Sequence, residues 1–468
     1  MGAGFRFIHA ADLHVDSPFR GLSEAPPHVR DALMSSTFAA VRRLTETAIA
    51  SKADFVIIAG DLYDSADRSL RAQLALQREW RKLHAAGVQL FVIHGNHDHL
   101  AGARAKLAWP DSVKIFGSQD VECVPAYGKN GEVAAYIYGI SYGARAVTEN
   151  LASRYKPRSD GPYHIAMLHG NVDGDGAHDP YAPCSLAQLA GAGFQYWALG
   201  HVHNRRVLHT YPHIVYAGNT QGRHSRERGA KGCYIVDVSD TRETTLTFAA
   251  LDTIRWEEME VSIAGFLTEQ ALLDAIEREA AVLMRARSGG RPVMLSIKLV
   301  GRGVMHKRLV DAAFLGQLRE GLRERLNDNE PLGETRDDGI YGAAGRGQET
   351  ALGTQEEQER PWCWIHTIDA ETGAELDIDA LAREDSFAGE LLRLSMALEG
   401  DGEERLSLEE EALAPLLANP RLRKHIRERM DVDTSKWLLQ ARELAAALLT
   451  EDDKEMTVLR EPSTRGEG

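Results

Sequence analysis

Apolar and polar positions in the first hundred residues follow two alternating periods. Short apolar runs over 5–10, 54–59 and 88–93, each bounded by Gly, Asp or Asn, predict strands. The stretches 30–51 and 70–86 carry apolar residues at helical spacing and predict amphipathic helices between those strands. Strands that alternate with helices in this way indicate a sheet covered by helices, with parallel pairing at its start.

Beyond residue 130 the pattern changes to short strands with few helices between them. Five apolar runs predict these strands, at 135–140, 164–168, 196–199, 214–217 and 232–238. We expect them to form a second sheet. The predicted fold class is therefore α/β (α+β): a two-sheet sandwich flanked by helices, over residues 1–252.

The last two fifths of the chain predict further segments. Residues 253–327 alternate strand, helix, strand and helix, which predicts a small α+β domain. Residues 328–360 are rich in Gly, Asp, Glu, Gln and Thr and predict a flexible linker. Residues 361–450 predict a mostly helical segment, and the polar tail 451–468 predicts disorder.

The composition predicts a protein of two or three domains in the cytoplasm. A chain of 468 residues with 43% hydrophobic and 26% charged residues exceeds one ordinary domain. Its apolar runs fall short of the roughly 20 residues that span a bilayer, and its N-terminus lacks the features of a secretory signal. We expect no membrane association. The four cysteines are far apart and predict buried thiols.

A net charge of −15 disfavours nucleic acid on average. Any such activity therefore requires local basic patches or metal ions. One basic cluster follows residue 222 and contains Arg223, His224, Arg226, Arg228 and Lys231. We predict that Arg223, His224 and Arg226 contact a nucleic-acid backbone, with a solvated turn as the alternative.

Polar side chains follow the ends of the predicted strands. They are Asp12, His14, Asp61, Asn96, His97, Asp98, His169, His201 and His203. The carboxyl ends of parallel strands open onto one crevice, so we expect these side chains to converge. Asp, Asn and His together suit Mn²⁺, Fe²⁺ or Zn²⁺ more than Mg²⁺, and Mn²⁺ is the metal we predict.

The number of candidate ligands predicts two divalent ions. Seven ligands are too many for one ion that also keeps a position for water. A carboxylate can bridge two ions, which then clamp the attacking and leaving oxygens of a phosphoryl transfer. Asp61 is the predicted bridge.

These motifs carry a family resemblance. Asp12-x-His14, Gly60-Asp61-x-x-Asp64, Gly95-Asn-His-Asp98, His169 and Gly200-His-x-His203 resemble, in that order, the five motifs of the calcineurin-like metallophosphoesterases. Within that superfamily the chain resembles the SbcD-type DNA repair exonucleases, and more closely their YhaO branch, in "HAADLHVDSPF", "GDGAHDPYAP" and "AGNTQGRHSRERGAKGCYIVDV". The resemblance fades after about residue 250.

The resemblance implies a role for each motif residue. The first metal would be held by Asp12, His14 and His203, the second by Asn96, His169 and His201, and Asp61 would bridge them. His97 would position the scissile phosphate or protonate the leaving oxygen, and Asp98 would orient His97.

Two further acids leave alternatives open. Some relatives have a second catalytic histidine where this chain has Asp64, so that role is vacant or Asp64 acts differently; capping of the next helix is the plain alternative. Asp16 either caps a loop or contacts substrate.

The function predicted from these features is a two-metal-dependent DNA exonuclease, with endonuclease activity also open. The resemblance further implies DNA repair, homodimerisation, a capping domain beside the site, and C-terminal helices that dock on an SMC-like coiled-coil ATPase. A phosphatase or cyclic-nucleotide phosphodiesterase of the same superfamily is one alternative. A scaffold subunit of an ATPase complex is the other.

Overall fold

The structure is a computed structural model. It describes residues 4–19, 22, 24–65, 68–102, 105, 107–174, 181–328, 361–376 and 378–400, with 407, 411, 412, 414, 438, 441, 442, 444–446, 448 and 449. The predicted linker, from 329 onward, and the predicted tail lie outside the described residues, as does most of the C-terminal segment after 400.

The described residues form fifteen named strands and eight α-helices. In chain order the strands are β1 (Phe5–Ala10), β2 (Phe55–Ala59), β3 (Gln89–Ile93), β4 (Val113–Ile115), β5 (Glu122–Tyr127), β6 (Val133–Gly139), β7 (His164–His169), β8 (Tyr196–Gly200), β9 (Arg206–Thr210), β10 (His213–Tyr216), β11 (Gly232–Val238), β12 (Thr244–Ala250), β13 (Arg255–Ser262), β14 (Val293–Arg302) and β15 (Cys363–Gly373). The helices are α1 (Pro27–Ala50), α2 (Leu70–Ala85), α3 (Leu186–Gly191), α4 (Glu269–Arg287), α5 (His306–Leu309), α6 (Ala312–Asp328), α7 (Ile378–Arg383) and α8 (Phe387–Gly400). A short 3₁₀ helix covers Leu151–Arg154.

The first sheet has six strands in the order β12-β11-β1-β2-β3-β4. Strands β1 to β4 are parallel, as predicted. The prediction that 232–238 belongs to the second sheet is wrong, because β11 pairs antiparallel with β1. This strand buries Cys233 on one face and Val236 on the other, in two different core clusters. An apolar run buried on both faces carries no signal for which sheet it joins.

The second sheet also has six strands, in the order β5-β6-β7-β8-β10-β9. Its four central strands, β6, β7, β8 and β10, run parallel. The sequence did not predict the edge strands β5 and β9, whose side chains are mostly half-buried or exposed. An edge strand lacks the continuous apolar run of a central strand, and for that reason it is difficult to recognise.

The two sheets pack face to face through an aromatic and aliphatic core. Phe7, Phe55, Ile57, Tyr196 and Val215 are fully buried in it. The rings of Phe7 and Phe55 stack with centroids 5.2 Å apart. Full burial of such side chains contributes about 1.5–3 kcal/mol each. The predicted two-sheet sandwich is thereby confirmed.

Helices α1 and α2 cover the outer face of the first sheet. Leu44 of α1 and Leu76 and Trp80 of α2 are buried in one cluster with Ile8 and Val56 from the strands beneath. The helices thus anchor β1 and β2, and the loops that leave these strands start from a fixed base.

A third sheet has the order β13-β14-β15. Residues 361–450 were predicted to be a mostly helical segment; the sequence did not predict the strand β15, which precedes the helices, and the helices begin at Ile378. The physical reason is burial: Cys363, Ile365 and Ile368 are buried on β15 while the residues between them are more exposed. Helices α7 and α8 then follow, which agrees with the expected helical C-terminal segment.

Among the described residues, contacts divide the chain into two compact units. The first comprises 4–258, 280–296, 325–328 and 361–366, and the second begins with 259–279 and 297–324 and continues from 367. The first unit contains both six-stranded sheets. The extents predicted for the capping domain and the helical segment stay predictions.

Two expectations from composition can be compared with the structure. Cys184, Cys233 and Cys363 are buried thiols as predicted, whereas Cys123 is exposed because it lies on the edge strand β5. In the part of the chain that the structure describes, helices of the length and apolarity required to cross a membrane do not occur.

Candidate metal centre

The loops that follow the parallel strands hold their first polar residues in an unusual backbone conformation. The φ angles of Asp12, His14, Asp61 and His201 are 51°, 43°, 49° and 94°, a region that residues other than glycine rarely adopt. Each such residue costs of order 1–3 kcal/mol and persists only where its surroundings enforce it. Backbone hydrogen bonds between the two loops hold this conformation here: Asp12 N donates to the Gly60 carbonyl and His14 N to the Asp61 carbonyl.

Glycines stand where these loops come closest to the side chains. A Cβ on Gly60 would lie 2.3 Å from His169 Nδ1, and a Cβ on Gly95 would lie 2.4 Å from Asp61 Oδ1. A Cβ on Gly200 would lie only 1.9 Å from the carbonyl oxygen of Ala59. The absent side chains therefore make room for the convergence that the sequence predicted.

The first donor group consists of Asp12, His14 and His203, whose ligand atoms lie within 4.8 Å of one another. The Nε2 atoms of His14 and His203 face each other at 3.2 Å. Burial lowers the pKa of both imidazoles, so both are neutral at pH 7 and offer a lone pair. This group is the set predicted for the first metal.

The second donor group contains Asp12, Asp61 and His169, again within 4.8 Å. His169 Nδ1 donates to the Ala59 carbonyl at 3.0 Å, which leaves Nε2 as the acceptor nitrogen. Burial lowers the pKa of His169 to about 4. Asn96 Oδ1 lies 3.0 Å from that Nε2.

His201 joins the same region. Its ring centroid lies 5.2 Å from that of His169, and its backbone N–H donates to the Asp12 carboxylate at 3.1 Å. The structure thus brings together the three side chains predicted for the second metal, Asn96, His169 and His201.

Asp61 of the second group also lies close to the first group, where the predicted bridge belongs. Its Oδ2 is 3.9 Å from His14 Nε2 and 3.4 Å from His169 Nε2. Burial raises the pKa of Asp61 to about 7, and burial together with the charge of Asp61 raises the pKa of Asp12 well above its usual value. Two buried carboxylates that oppose each other's ionisation fit a site that holds divalent cations.

His97 lies beside the first group with its ring turned edge-on to His14, at a centroid distance of 5.0 Å. Its backbone N–H donates to Asp61 Oδ1 at 3.0 Å, and its Nδ1 donates to the carbonyl of Asp64 at 2.8 Å. The ring is therefore fixed by the backbone of the loop after β2.

The prediction that Asp98 orients His97 is wrong. The Asp98 carboxylate accepts from His94 Nδ1 at 2.7 Å, from Gly95 N at 2.8 Å and from Leu62 N at 3.0 Å. Two of these donors belong to its own loop and the third to the loop after β2, so the carboxylate points toward them and away from the ring of His97. Asp98 holds the loop that carries His97 rather than the ring itself.

Asp64 does not cap helix α2, so the plain alternative for this residue is wrong. The cap is Ser69, whose hydroxyl accepts from Ala72 N at 3.0 Å. The Asp64 carboxylate instead points into the site, with Oδ1 3.3 Å from His14 Nδ1 and 2.5 Å from Arg223 Nη1.

Asp16 lies in the loop after β1 and contacts the start of α2. Its Oδ2 accepts from the Ser69 hydroxyl at 2.5 Å, and Arg71 lies 3.8 Å from its Oδ1. Of the two roles considered for Asp16, the structure favours the loop-capping one.

The basic cluster does not form one surface patch. The side chain of Arg223 is 12% exposed and turns toward Asp64 and Glu227. Lys231 is buried and donates to the His203 carbonyl at 3.2 Å. His224 and Arg226 are exposed.

Glu227 is a site residue that the sequence did not predict. It is buried, and its Oε1 accepts from His203 Nδ1 at 2.6 Å, an arrangement that turns His203 Nε2 toward the first donor group. Its Oε2 accepts from Asn219 Nδ2 at 2.8 Å and from Arg223 N at 2.7 Å. The available signal was a single acid within a run of cations from 223 to 231.

Comparison with known proteins agrees with this geometry. The family model of the calcineurin-like phosphoesterases matches residues 5–205, and the model of the middle domain of metallophosphoesterase YhaO matches residues 256–333. The uncharacterized metallophosphoesterase YhaO of Bacillus subtilis strain 168 is 41% identical over 327 residues, which cover 69% of this chain and 78% of that protein.

More distant proteins match over shorter stretches. The DNA double-strand break repair protein Mre11 of Methanocaldococcus jannaschii is 26% identical over 288 residues, covering 58% of this chain and 73% of that protein. A solved structure of a dimetal phosphatase from Danio rerio matches 52% of this chain and 99% of its own, with 13% identity and a TM-score of 0.31, too low to carry an argument. Because the chain is 41% identical to YhaO and carries the five motifs around one buried centre, it belongs to the calcineurin-like metallophosphoesterases.

Proposed function

We propose that this protein is a two-metal-dependent DNA nuclease, in the first place an exonuclease acting in DNA repair. The observation that carries the proposal is the pair of donor groups that share Asp12, with Asp61 of the second group 3.9 Å from His14 of the first. Membership of a phosphoesterase family supports hydrolysis of a phosphate ester, and the similarity to a protein named for double-strand break repair favours DNA as the substrate.

Two sets of side chains would hold the metals, with Mn²⁺ as the proposed ion. Asp12, His14 and His203 would hold the first, Asn96, His169 and His201 the second, and Asp61 would touch both. When bound, two divalent ions supply positive charge to the phosphoryl oxygens and lower the pKa of the attacking water. Neutral imidazoles and buried carboxylates are the donors that Mn²⁺ accepts.

His97 is the proposed proton donor to the departing oxygen. Its Nδ1 donates to the Asp64 carbonyl, so Nε2 is the nitrogen that would donate to a substrate. The bond from its backbone N–H to Asp61 keeps the ring at a fixed position relative to the bridging carboxylate. A proton delivered to the leaving oxygen contributes typically 10²–10⁴-fold to a rate, so about that factor is expected from this residue.

The remaining parts of the chain take their proposed roles from the family resemblance. The α+β domain would limit which DNA ends reach the site. The C-terminal helices would dock on an SMC-like coiled-coil ATPase, and the protein would act in the cytoplasm as a homodimer.

A nuclease assay tests the proposal. Labelled single- and double-stranded DNA is incubated with the metal-free protein and one added ion at a time: Mn²⁺, Mg²⁺, Fe²⁺ or Zn²⁺. Stepwise shortening of DNA with Mn²⁺, and its loss in His97→Ala with metal content unchanged, is the expected result. Turnover of small phosphate esters without any DNA cleavage would contradict the proposal and indicate a phosphatase. Absence of all turnover would favour the scaffold alternative.

A further inference from the structure

Both histidines of the first donor group face a carboxylate with their outer nitrogen. His203 Nδ1 lies 2.6 Å from Glu227 Oε1, and His14 Nδ1 lies 3.3 Å from Asp64 Oδ1. An imidazole that donates from Nδ1 presents a lone pair at Nε2. The two Nε2 atoms face each other at 3.2 Å. The bond to Glu227 turns the lone pair of His203 toward this point, and the Asp64 carboxylate lies at ion-pair distance from the outer nitrogen of His14.

Arg223 connects these two carboxylates. Its Nη1 donates to Asp64 Oδ1 at 2.5 Å and its Nη2 to Glu227 Oε1 at 3.2 Å. The guanidinium is planar and always charged, so it can hold two anions at a fixed separation. The Glu227 carboxylate also accepts from the backbone N–H of Arg223 at 2.7 Å, which fixes the root of the same side chain.

The Arg223 guanidinium lies between the two acids, so one positive charge faces two carboxylates. The imidazole of His224 also lies 3.3 Å from Glu227 Oε1. The carboxylate oxygens accept hydrogen bonds from Arg223 and from His203.

We propose that Asp64, Arg223 and Glu227, the outer network, position His14 and His203 for the first metal ion. This inference rests on the proposed two-metal function. In this proposal Arg223 positions other side chains of the protein and does not contact the DNA backbone.

The outer network also accounts for an aspartate at position 64. A neutral imidazole has one acceptor nitrogen, whereas a carboxylate oxygen can accept from two donors at once. Asp64 Oδ1 faces both His14 Nδ1 and Arg223 Nη1, so an imidazole there could not serve the two. A histidine would also place a second donor opposite the Arg223 cation.

Binding of Mn²⁺ alone to the metal-free full-length protein tests the inference without any turnover. Calorimetry and the Mn²⁺ paramagnetic resonance signal give the number of ions and their affinities. In Asp64→Ala one ion is expected to bind about 10- to 100-fold more weakly, the usual cost of losing an outer partner of a ligating histidine, while the other ion binds as in the wild type.

Two further variants accompany this measurement. Asp64→Asn keeps the size and one acceptor oxygen, so it is expected to lose less affinity than Asp64→Ala. Asp16→Ala is the matched control, because Asp16 lies in the neighbouring loop and bonds to Ser69. Its two Mn²⁺ affinities are expected to equal those of the wild type.

A double-mutant cycle tests the role of Arg223. If Arg223 acts through Asp64, Arg223→Met changes the first-ion affinity less in the Asp64→Ala background than in the wild type. Equal changes in both backgrounds, or unaltered Mn²⁺ affinities in Asp64→Ala, would overturn the inference. A wild-type protein that binds no Mn²⁺ would instead remove the proposed function on which it rests.

Discussion

At the scale of single residues, the site depends on the lack of a side chain at Gly95. A methyl group there would lie 2.4 Å from Asp61 Oδ1 and 2.7 Å from His169 Nε2, closer than real Cβ contacts come. We expect Gly95→Ala to displace the bridging carboxylate and to abolish Mn²⁺ binding while the fold is retained. Gly191→Ala is the control, since a Cβ at Gly191 meets no atom within 4 Å. Calorimetric Mn²⁺ titration of both variants measures this, and tight binding by Gly95→Ala would contradict the close fit described for the loop.

A second residue gives the native state a dependence on pH. His9 is completely buried in β1, with Nδ1 3.0 Å from the Tyr196 hydroxyl, and burial lowers its pKa to about 3. Below its unfolded pKa of about 6.5 the unfolded chain binds a proton that the native state does not, so the free energy of unfolding falls as the pH falls.

The variant His9→Gln removes that contribution. Between about pH 6.5 and about pH 4.5, the free energy of unfolding of the wild type is expected to fall by about 2 kcal/mol relative to that of the variant. Above that range the difference between the two proteins is expected to be constant. Urea unfolding of the metal-free proteins measures both. A difference that stays constant down to about pH 4.5 would show that His9 takes up its proton in the native state.

The sequence identified the donor residues but not their partners. Asp12, His14, Asp61, Asn96, His169, His201 and His203 all lie where strand ends meet, as their positions after apolar runs predicted. The partners of Asp98, Asp64 and Arg223 include residues of loops far away in the sequence, which composition and spacing do not encode. Neighbours in sequence, such as His97 and Asp98, therefore serve different sides of one loop.

At the scale of elements, helix α2 begins at a cap that also holds the loop after β1. The Ser69 hydroxyl accepts from Ala72 N and donates to Asp16 Oδ2. Loss of such a cap costs about 0.5–2 kcal/mol, so Ser69→Ala is expected to lower the free energy of unfolding by about that amount. In the control Ser35→Ala, an exposed hydroxyl bonds only to carbonyls of its own helix, and a change within about 0.5 kcal/mol is expected.

Urea unfolding measures both variants. If Ser69→Ala were as stable as Ser35→Ala, the described cap would not contribute to the start of α2.

The apolar pattern predicted the central strands and the long helices, but it missed several other strands and placed one strand in the wrong sheet. The parallel strands and the two long helices α1 and α2 follow from periodicity alone. The misplaced β11 and the unrecognised β15 owe their positions to partners far away in the sequence, since β11 pairs with β1 and β15 lies beside β14. Such pairing depends on tertiary packing, which a local pattern does not contain.

At the scale of the molecule, the two-sheet sandwich is the device that assembles the site. Strands β1, β2 and β3 of one sheet and β7 and β8 of the other end at the same place. Residues almost two hundred positions apart, such as Asp12 and His201, are joined there by a hydrogen bond. The sequence predicted this convergence because the carboxyl ends of parallel strands lie at one edge of a sheet.

Anomalous X-ray scattering from crystals grown with Mn²⁺ tests the central claim most directly. The account predicts two Mn²⁺ peaks within the set Asp12, His14, Asp61, Asn96, His169, His201 and His203, with the Asp61 carboxylate between them, and a weakened or missing pair in Asp61→Asn. A map with no peak among these side chains, or with bound Mn²⁺ only elsewhere on the protein, would contradict it.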